Sequence, residues 1–317
     1  MNYKEFLQYK ADLIKNNPSL LNLSDSNLYE YFNIFNISST VGEGHSKGKV
    51  YRCHMVEDYL DAFGLPVSWK SQIGANQGVR QSLSVLFPLL RNWSIPKDVY
   101  PFYQEEIRKT QRNYFEYDTL HSEDIFAKVP DGTLLVTYPL KPKGKNYLDS
   151  DLKRLKNFLS RDPGNIIVVD MVYWLNFAYP AEILDLIKTN QVIILHSFSK
   201  VFLLPNCFGI SIFPDSEQGT MLRDSYKTLA KDELKINKAF NAIRHYRIIP
   251  EVITEKLLLN NIKLRLRGFQ MEVDSNNPGY LHFSEITPNE FLDRGIIVIP
   301  ESVFGGTGNG SIISSLI

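Results

Sequence analysis

Three short apolar runs, separated by amphipathic segments, limit what this chain can fold into more than any other feature. Thr133–Val136 (TLLV), Ile166–Val169 (IIVV) and Val192–Leu195 (VIIL) are each bounded by polar or turn residues, the pattern of buried parallel strands. Between the first two lies DLKRLKNFL, whose Leu152, Leu155, Phe158 and Leu159 fall on one helical face. Between the last two, AEILDLIKT has the same character. Strand, helix, strand, helix, strand predicts an α/β domain around a parallel sheet. Phe208–Phe213 (FGISIF) reads as an antiparallel return strand.

The flanking regions are read from the same periodicities. Met55, Val56, Tyr59, Leu60 and Phe63 stand at helical spacing, and Gln77–Leu90 reads as an apolar helix opened by a GANQG turn. Beyond Pro214 a long charged stretch reads as mostly helix, followed by strands in GYLHF and GIIVIP with a helix, ITPNEFLDR, between them. Lys263, Arg265 and Arg267 alternate with apolar residues, which predicts one face of an exposed strand. The expected organisation is a large domain over 40–225 and a smaller α+β domain from 1–39 plus 226–317.

Composition removes several classes of function. Lys plus Arg and Asp plus Glu are 35 each, a net charge of zero, which argues against nucleic acid as a partner. No apolar run approaches the roughly 18 residues of a membrane span. The start, MNYKEFLQYKADLIKNN, has no apolar core of a secretion signal. Cys53 and Cys207 are the only cysteines, too few for a disulfide framework. The six histidines show no helical zinc spacing, so no metal is assigned. A cytoplasmic location without membrane association is expected.

Three local motifs carry candidate chemistry. His196-Ser197-Phe198-Ser199-Lys200 follows the VIIL run and puts a Lys at the mouth of the sheet, where α/β proteins place ligands. Asp170-Met171-Val172-Tyr173 follows the IIVV run, with an acid ending the strand and a Tyr three residues on. Gly74-Ala75-Asn76-Gln77-Gly78-Val79-Arg80 leads into a helix whose N-terminus offers N–H groups to an anion. Taken singly, each is explained as well by capping and packing.

Together, in this order and spacing, they resemble the pyridoxal-phosphate enzymes of fold type I, the aspartate aminotransferase-like class I/II family. HSFSKVFLLPNCFGI is similar to that family's S-x-S-K-x-F-x-L-P-G-x-R-x-G. Val99-Tyr100-Pro101-Phe102-Tyr103 resembles its P-x-Y-x-x-Y turn, and GIIVIPESVFGG resembles its C-terminal G-V-x-V-x-P-G-x-x-F-G. The resemblance covers nearly the whole chain, as a short member. It implies a three-layer αβα large domain with a smaller α+β domain, a homodimer, and pyridoxal 5'-phosphate as cofactor. It implies Lys200 as the Schiff-base lysine, Asp170 as partner of the ring nitrogen and Tyr173 as partner of the phenolic oxygen. Gln77, Gly78, Val79, Ser197 and Ser199 would surround the phosphate and Tyr100 would stack on the ring. Tyr103 would lie near Asp170, and Tyr51 would reach the partner subunit's phosphate.

The departures bear on the reaction. Tyr138-Pro139-Leu140-Lys141-Pro142-Lys143-Gly144 puts Lys141 where the family has an Asn beside the phenolic oxygen. Phe208, eight residues after Lys200, stands where the family has a phosphate-binding Arg. Ile313 stands where it has the Arg that grips the substrate carboxylate. Arg80 and Lys141 are the candidates to restore phosphate charge, and Arg244 and Arg247 to contact substrate. His196 is read as a packed strand-end residue, and Trp69, Trp93 and Trp174 as core or interface residues. The expected activity is amino-group transfer on an amino acid or an amine derived from one. The alternatives are decarboxylation of an amino-acid conjugate and a non-catalytic relative.

Overall fold

The computed structural model describes residues 1–24, 56–122, 124–141, 143, 146–174, 176–201, 208–229, 243, 249–270 and 281–314. The chain opens with helix α1 (Tyr3–Asn16), capped by Asn2 and Glu5, and a short strand β1 (Leu21–Asn22). Then follow β2 (Ile73–Asn76), α2 (Val79–Leu89), β3 (Trp93–Pro96), α3 (Phe102–Lys109) and β4 (Phe115–Tyr117). The predicted βαβαβ segment is β5 (Thr133–Thr137), α4 (Asp149–Arg161), β6 (Ile166–Asp170), α5 (Ala181–Ile187) and β7 (Val192–Ser197). A single helical turn, Phe198–Val201, follows β7. Next come β8 (Gly209–Ile212), α6 (Glu217–Ser225) and α7 (Ile249–Leu266). The chain ends in β9 (Leu281–Ser284), α8 (Pro288–Asp293), β10 (Ile296–Ile297), β11 (Ile299–Pro300) and β12 (Ser311–Ser314).

Seven strands form one sheet in the order β2-β8-β7-β6-β5-β3-β4. Only β8 runs against the others, pairing antiparallel with both β2 and β7, as the FGISIF reading expected. Side chains alternate across the pleat, so each central strand feeds two apolar layers. Leu134, Val136, Ile167, Val169 and Ile194 pack on one face with Leu155 and Phe158 of α4 and Ile183 and Leu186 of α5. Leu135, Val168, Ile193 and Leu195 pack on the other with Leu83 and Leu86 of α2 and Ile107 of α3. That is the expected three-layer αβα arrangement. A separate apolar cluster in the last part of the chain joins Leu23, Leu264, Phe269, Phe291 and Ile296 beside the small sheet β11-β12-β9. The expected domain boundary at 39/40 lies outside the described residues.

The strand predicted from Lys263, Arg265 and Arg267 is not formed. Lys263 and Arg265 lie in α7 and Arg267 in the turn after it. Alternation over so short a span fits either period, and a half-buried strand would put Leu264 and Leu266 on one face, whereas Leu264 is buried and Leu266 is 80% exposed. Among the described residues, no helix is long and apolar enough to cross a membrane.

His196 is packed at the end of β7, wholly buried among Tyr59, Phe63 and Tyr179. Its Nε2 faces the Trp174 carbonyl at 3.4 Å and its Nδ1 lies 2.8 Å from the Tyr59 hydroxyl. Nε2 therefore carries the proton, and Tyr59 donates to Nδ1. Burial holds the imidazole from its ordinary 6.5 down to about 4, partly opposed by the Trp174 carbonyl. Between those values the unfolded chain takes up a proton that the folded one refuses, so stability falls as pH drops through this window. The cost is on the order of 3 kcal/mol across the whole window. Denaturant melts on either side of it will show a steep loss that His196→Asn flattens. An equally steep loss in the variant would place its origin elsewhere.

Candidate active site

Register brings the ends of the strands to one edge. Thr137 pairs with Asp170, Asp170 with Leu195, Ser197 with Gly209, and Gly209 with Asn76. The residues after β2, β5, β6 and β7 therefore emerge side by side at one end of the sheet, the usual ligand crevice of such folds.

Asp170, the last residue of β6, is 1% exposed. Its Oδ1 accepts the Val172 N–H at 2.8 Å. Its Oδ2 accepts the Tyr103 hydroxyl and lies 3.7 Å from Lys141 Nζ. Burial, then the neighbouring carboxylate, pushes the Tyr103 phenol well above its ordinary range, so it stays a donor. Tyr173 stands between two cations: Lys141 Nζ is 3.8 Å and Lys200 Nζ 5.6 Å from its ring centroid. Burial, then Asp170, raises its phenol too. The Tyr100 ring meets Tyr103 edge-on at 6.3 Å.

The Lys200 turn is set by its neighbours. Phe198 is fully buried, stacked 6.1 Å from Tyr59 and edge-on to Phe208 at 5.1 Å. Ser197 Oγ accepts the Ser199 N–H at 3.1 Å and donates to Ser199 Oγ at 3.0 Å.

The GANQG turn lies directly against this segment. Gly78 has φ 120°, and a Cβ there would come within 3.0 Å of Ser197 Oγ. Its N–H donates to Asn76 Oδ1 at 2.7 Å, and the Gln77 N–H donates to Gln81 Oε1 at 2.8 Å. From Val79 onward, the first-turn N–H groups of α2 have no acceptor within the helix. Gly209 permits the approach, since a Cβ there would sit 2.7 Å from Gly78 Cα.

No family model matches the sequence, and neither does any curated protein. Solved structures do. Aspartate aminotransferase from Thermotoga maritima matches with TM-score 0.69 and 15% identity, over 99% of this chain and 92% of its own. A double mutant of Thermus thermophilus aspartate aminotransferase matches with TM-score 0.71 and 14% identity, over 100% and 93%. YbdL from Escherichia coli, described with a methionine aminotransferase function, matches with TM-score 0.70 and 14% identity, over 98% and 93%. This chain has the class I aminotransferase fold.

Within the aminotransferase fold, the departures from the sequence pattern have clear places. Phe208 is 2% exposed in the core beneath the Lys200 turn and brings no charge to the Gly78 turn. Arg80 is exposed, with its guanidinium 4.5 Å from the Phe102 ring centroid and 5.8 Å from that of Tyr100. It stacks on these aromatics beside the mouth of the site. Ile313 lies in the small cluster with Leu23 and Phe291, while its neighbour Ile312 joins the large apolar layer. Tyr51, Arg244 and Arg247 lie outside the described residues. Trp93 and Trp174 are buried and Trp69 packs partly buried against the core. Among the described residues, no His, Cys, Asp and Glu group is arranged to hold a metal.

Sequence reasoning missed the supports. Asn76 pins the Gly78 turn and is itself held to Ser211 Oγ at 3.1 Å. Thr137 and Thr119 clamp the Lys141 backbone: the Lys141 N–H donates to Thr137 Oγ1 at 3.0 Å, and its carbonyl accepts from Thr119 Oγ1 at 2.7 Å. The Asn inside GANQG was a signal for the first; the second depends on the direction of two threonine side chains, four and 22 residues from Lys141, and left none.

The donor set fits pyridoxal phosphate. A buried acid held by the Tyr103 hydroxyl suits a protonated ring nitrogen, and the Gly78 cradle with two serines suits a phosphate. Gly78→Ala tests that cradle. Strain at the positive φ is expected to cost about 1–3 kcal/mol of stability, and crowding of Ser197 to weaken cofactor binding roughly tenfold or more. Melting curves with and without pyridoxal phosphate would report both, and an unchanged cofactor response would sink the cradle.

Proposed function

We propose that this chain is a pyridoxal-phosphate-dependent aminotransferase acting on an amino acid or an amino-acid-derived amine. One observation carries the reading: Lys200, Asp170 and Tyr173 converge at the sheet edge where the Gly78 turn abuts Ser197. The solved structures of this fold support it, since they include aspartate and methionine aminotransferases.

When bound, the cofactor supplies an electron sink for a carbanion formed next to nitrogen. The chain's residues set the conditions for that chemistry. Lys200 would hold the cofactor, and its amine would take and return the proton at the substrate carbon as general base and acid. Asp170 keeps the ring nitrogen protonated through a charge-assisted hydrogen bond, with Tyr103 orienting the carboxylate. Tyr173 donates to the phenolic oxygen, and Tyr100 covers the ring. The Val79 turn, Ser197 and Ser199 hold the phosphate through neutral donors, with Gln77 fixed beside them. We place Tyr51 of a second copy at the same phosphate, which makes a homodimer part of the proposal.

Decarboxylation of an amino-acid conjugate is the second reading, and Ile313 favours it. An apolar residue in the small cluster cannot grip a carboxylate. The test mixes cofactor-loaded protein with a panel of free amino acids, amines and conjugates and follows the spectrum, keto product and carbon dioxide. Keto product with an aminated cofactor supports transfer. Carbon dioxide without transfer supports the second reading. Protein that never takes up a borohydride-reducible chromophore refutes both and leaves the non-catalytic relative.

A further inference from the structure

Asp170 already has a cation. Lys141 is 4% exposed, and its ammonium lies 3.7 Å from Asp170 Oδ2, the oxygen that also accepts from Tyr103. The arrangement is built from both sides of the Lys141 backbone. Its N–H donates to Thr137 Oγ1 at the end of β5, and its carbonyl accepts from the hydroxyl of Thr119, whose backbone N–H is held by Asp98. The stem is thereby fixed where the head group, among the described residues, reaches Asp170 and the face of Tyr173 at 3.8 Å.

A buried carboxylate left alone is costly, and removing one partner of a buried pair is far worse than never having had it. A site whose acid waits for a cofactor cation faces that cost whenever the cofactor is absent. We propose that Lys141 is the stand-in counter-ion of Asp170, balancing it in the cofactor-free protein and giving it up when the cofactor's ring nitrogen arrives. The inference rests on the cofactor reading above. It makes Lys141 a positioning residue that acts through Asp170. Burial, against the pull of Asp170, brings the ammonium down to about 8.

The experiment is a set of thermal melts without and with added pyridoxal phosphate. It compares wild type, Lys141→Met, Lys141→Arg, Asp170→Asn and the double variant Lys141→Met/Asp170→Asn. Without cofactor, Lys141→Met is expected to melt roughly 5 °C or more below wild type. Lys141→Arg should recover most of that loss by restoring charge. In the Asp170→Asn background, Lys141→Met should cost little more, because no carboxylate is left to orphan. Pyridoxal phosphate should raise the melting temperature of Lys141→Met by more than it raises that of wild type. Equal melting of Lys141→Met and wild type would overturn the pairing, as would the same loss with Asp170→Asn. An equal cofactor response in Lys141→Met and wild type would overturn the exchange alone. Wild type that takes up no borohydride-reducible cofactor would overturn the functional reading and the exchange, while the cofactor-free melts would still decide the pairing.

Discussion

Replacing Lys200 by alanine is expected to abolish the borohydride-stable link to pyridoxal phosphate and to cut turnover by roughly 10³–10⁴-fold or more. The side chain has two tasks in the proposed reaction, covalent attachment and proton transfer, and alanine can do neither. The fold should tolerate the change. Lys200 itself is only partly buried, while its turn is anchored through the fully buried Phe198. Mass spectrometry after borohydride treatment, beside a normal melting curve, separates loss of chemistry from loss of structure. Covalent cofactor on another residue of the variant would refute the assignment, and Lys141 would be the first place to look for it.

Asp170→Asn is the second large effect. The amide keeps the size of the side chain and can still meet Tyr103 and the Val172 N–H. It cannot hold a proton on the ring nitrogen, because a neutral acceptor does not stabilise the positive charge. Turnover should fall by roughly 10²–10³-fold or more, the scale of losing a main electrostatic contact to the reacting group. Cofactor should bind more weakly, yet Lys200 should still trap it. A fully active variant would show that the ring nitrogen works without the acid.

Much of this was legible in sequence, for physical reasons. Apart from Thr133, every position of TLLV, IIVV and VIIL is apolar because both faces of their strands are covered, and such runs announce a buried parallel sheet. Lys200 and Asp170 could be placed because each follows a run closely, and strand ends converge at one edge. What stayed hidden depends on side-chain direction and on partners far apart in the chain. The pairing of Lys141 with Asp170 needs the angle at which the loop leaves β5, which Thr119 and Thr137 help to set. Ile312 and Ile313 are identical residues on one strand, so no pattern could say which faces which apolar cluster. Lys263, Arg265 and Arg267 misled because alternation of charge says nothing about the backbone when only Leu264 between them is buried.

Phe208 shows how hard it would be to walk this chain back toward a phosphate clamp. Its carbonyl accepts the Phe198 N–H at 2.9 Å and its ring braces Phe198. The position supports the lysine turn mechanically and supplies no charge. An arginine introduced there would lose that brace and place its guanidinium among Tyr59, Phe198 and Ile210, at a cost of several kcal/mol unless an anion came with it. A single substitution would then loosen Lys200 before it could tighten the phosphate. A charged residue at position 208 would need the layer beneath the turn to be rebuilt with it, so the two designs are separated by a valley in stability.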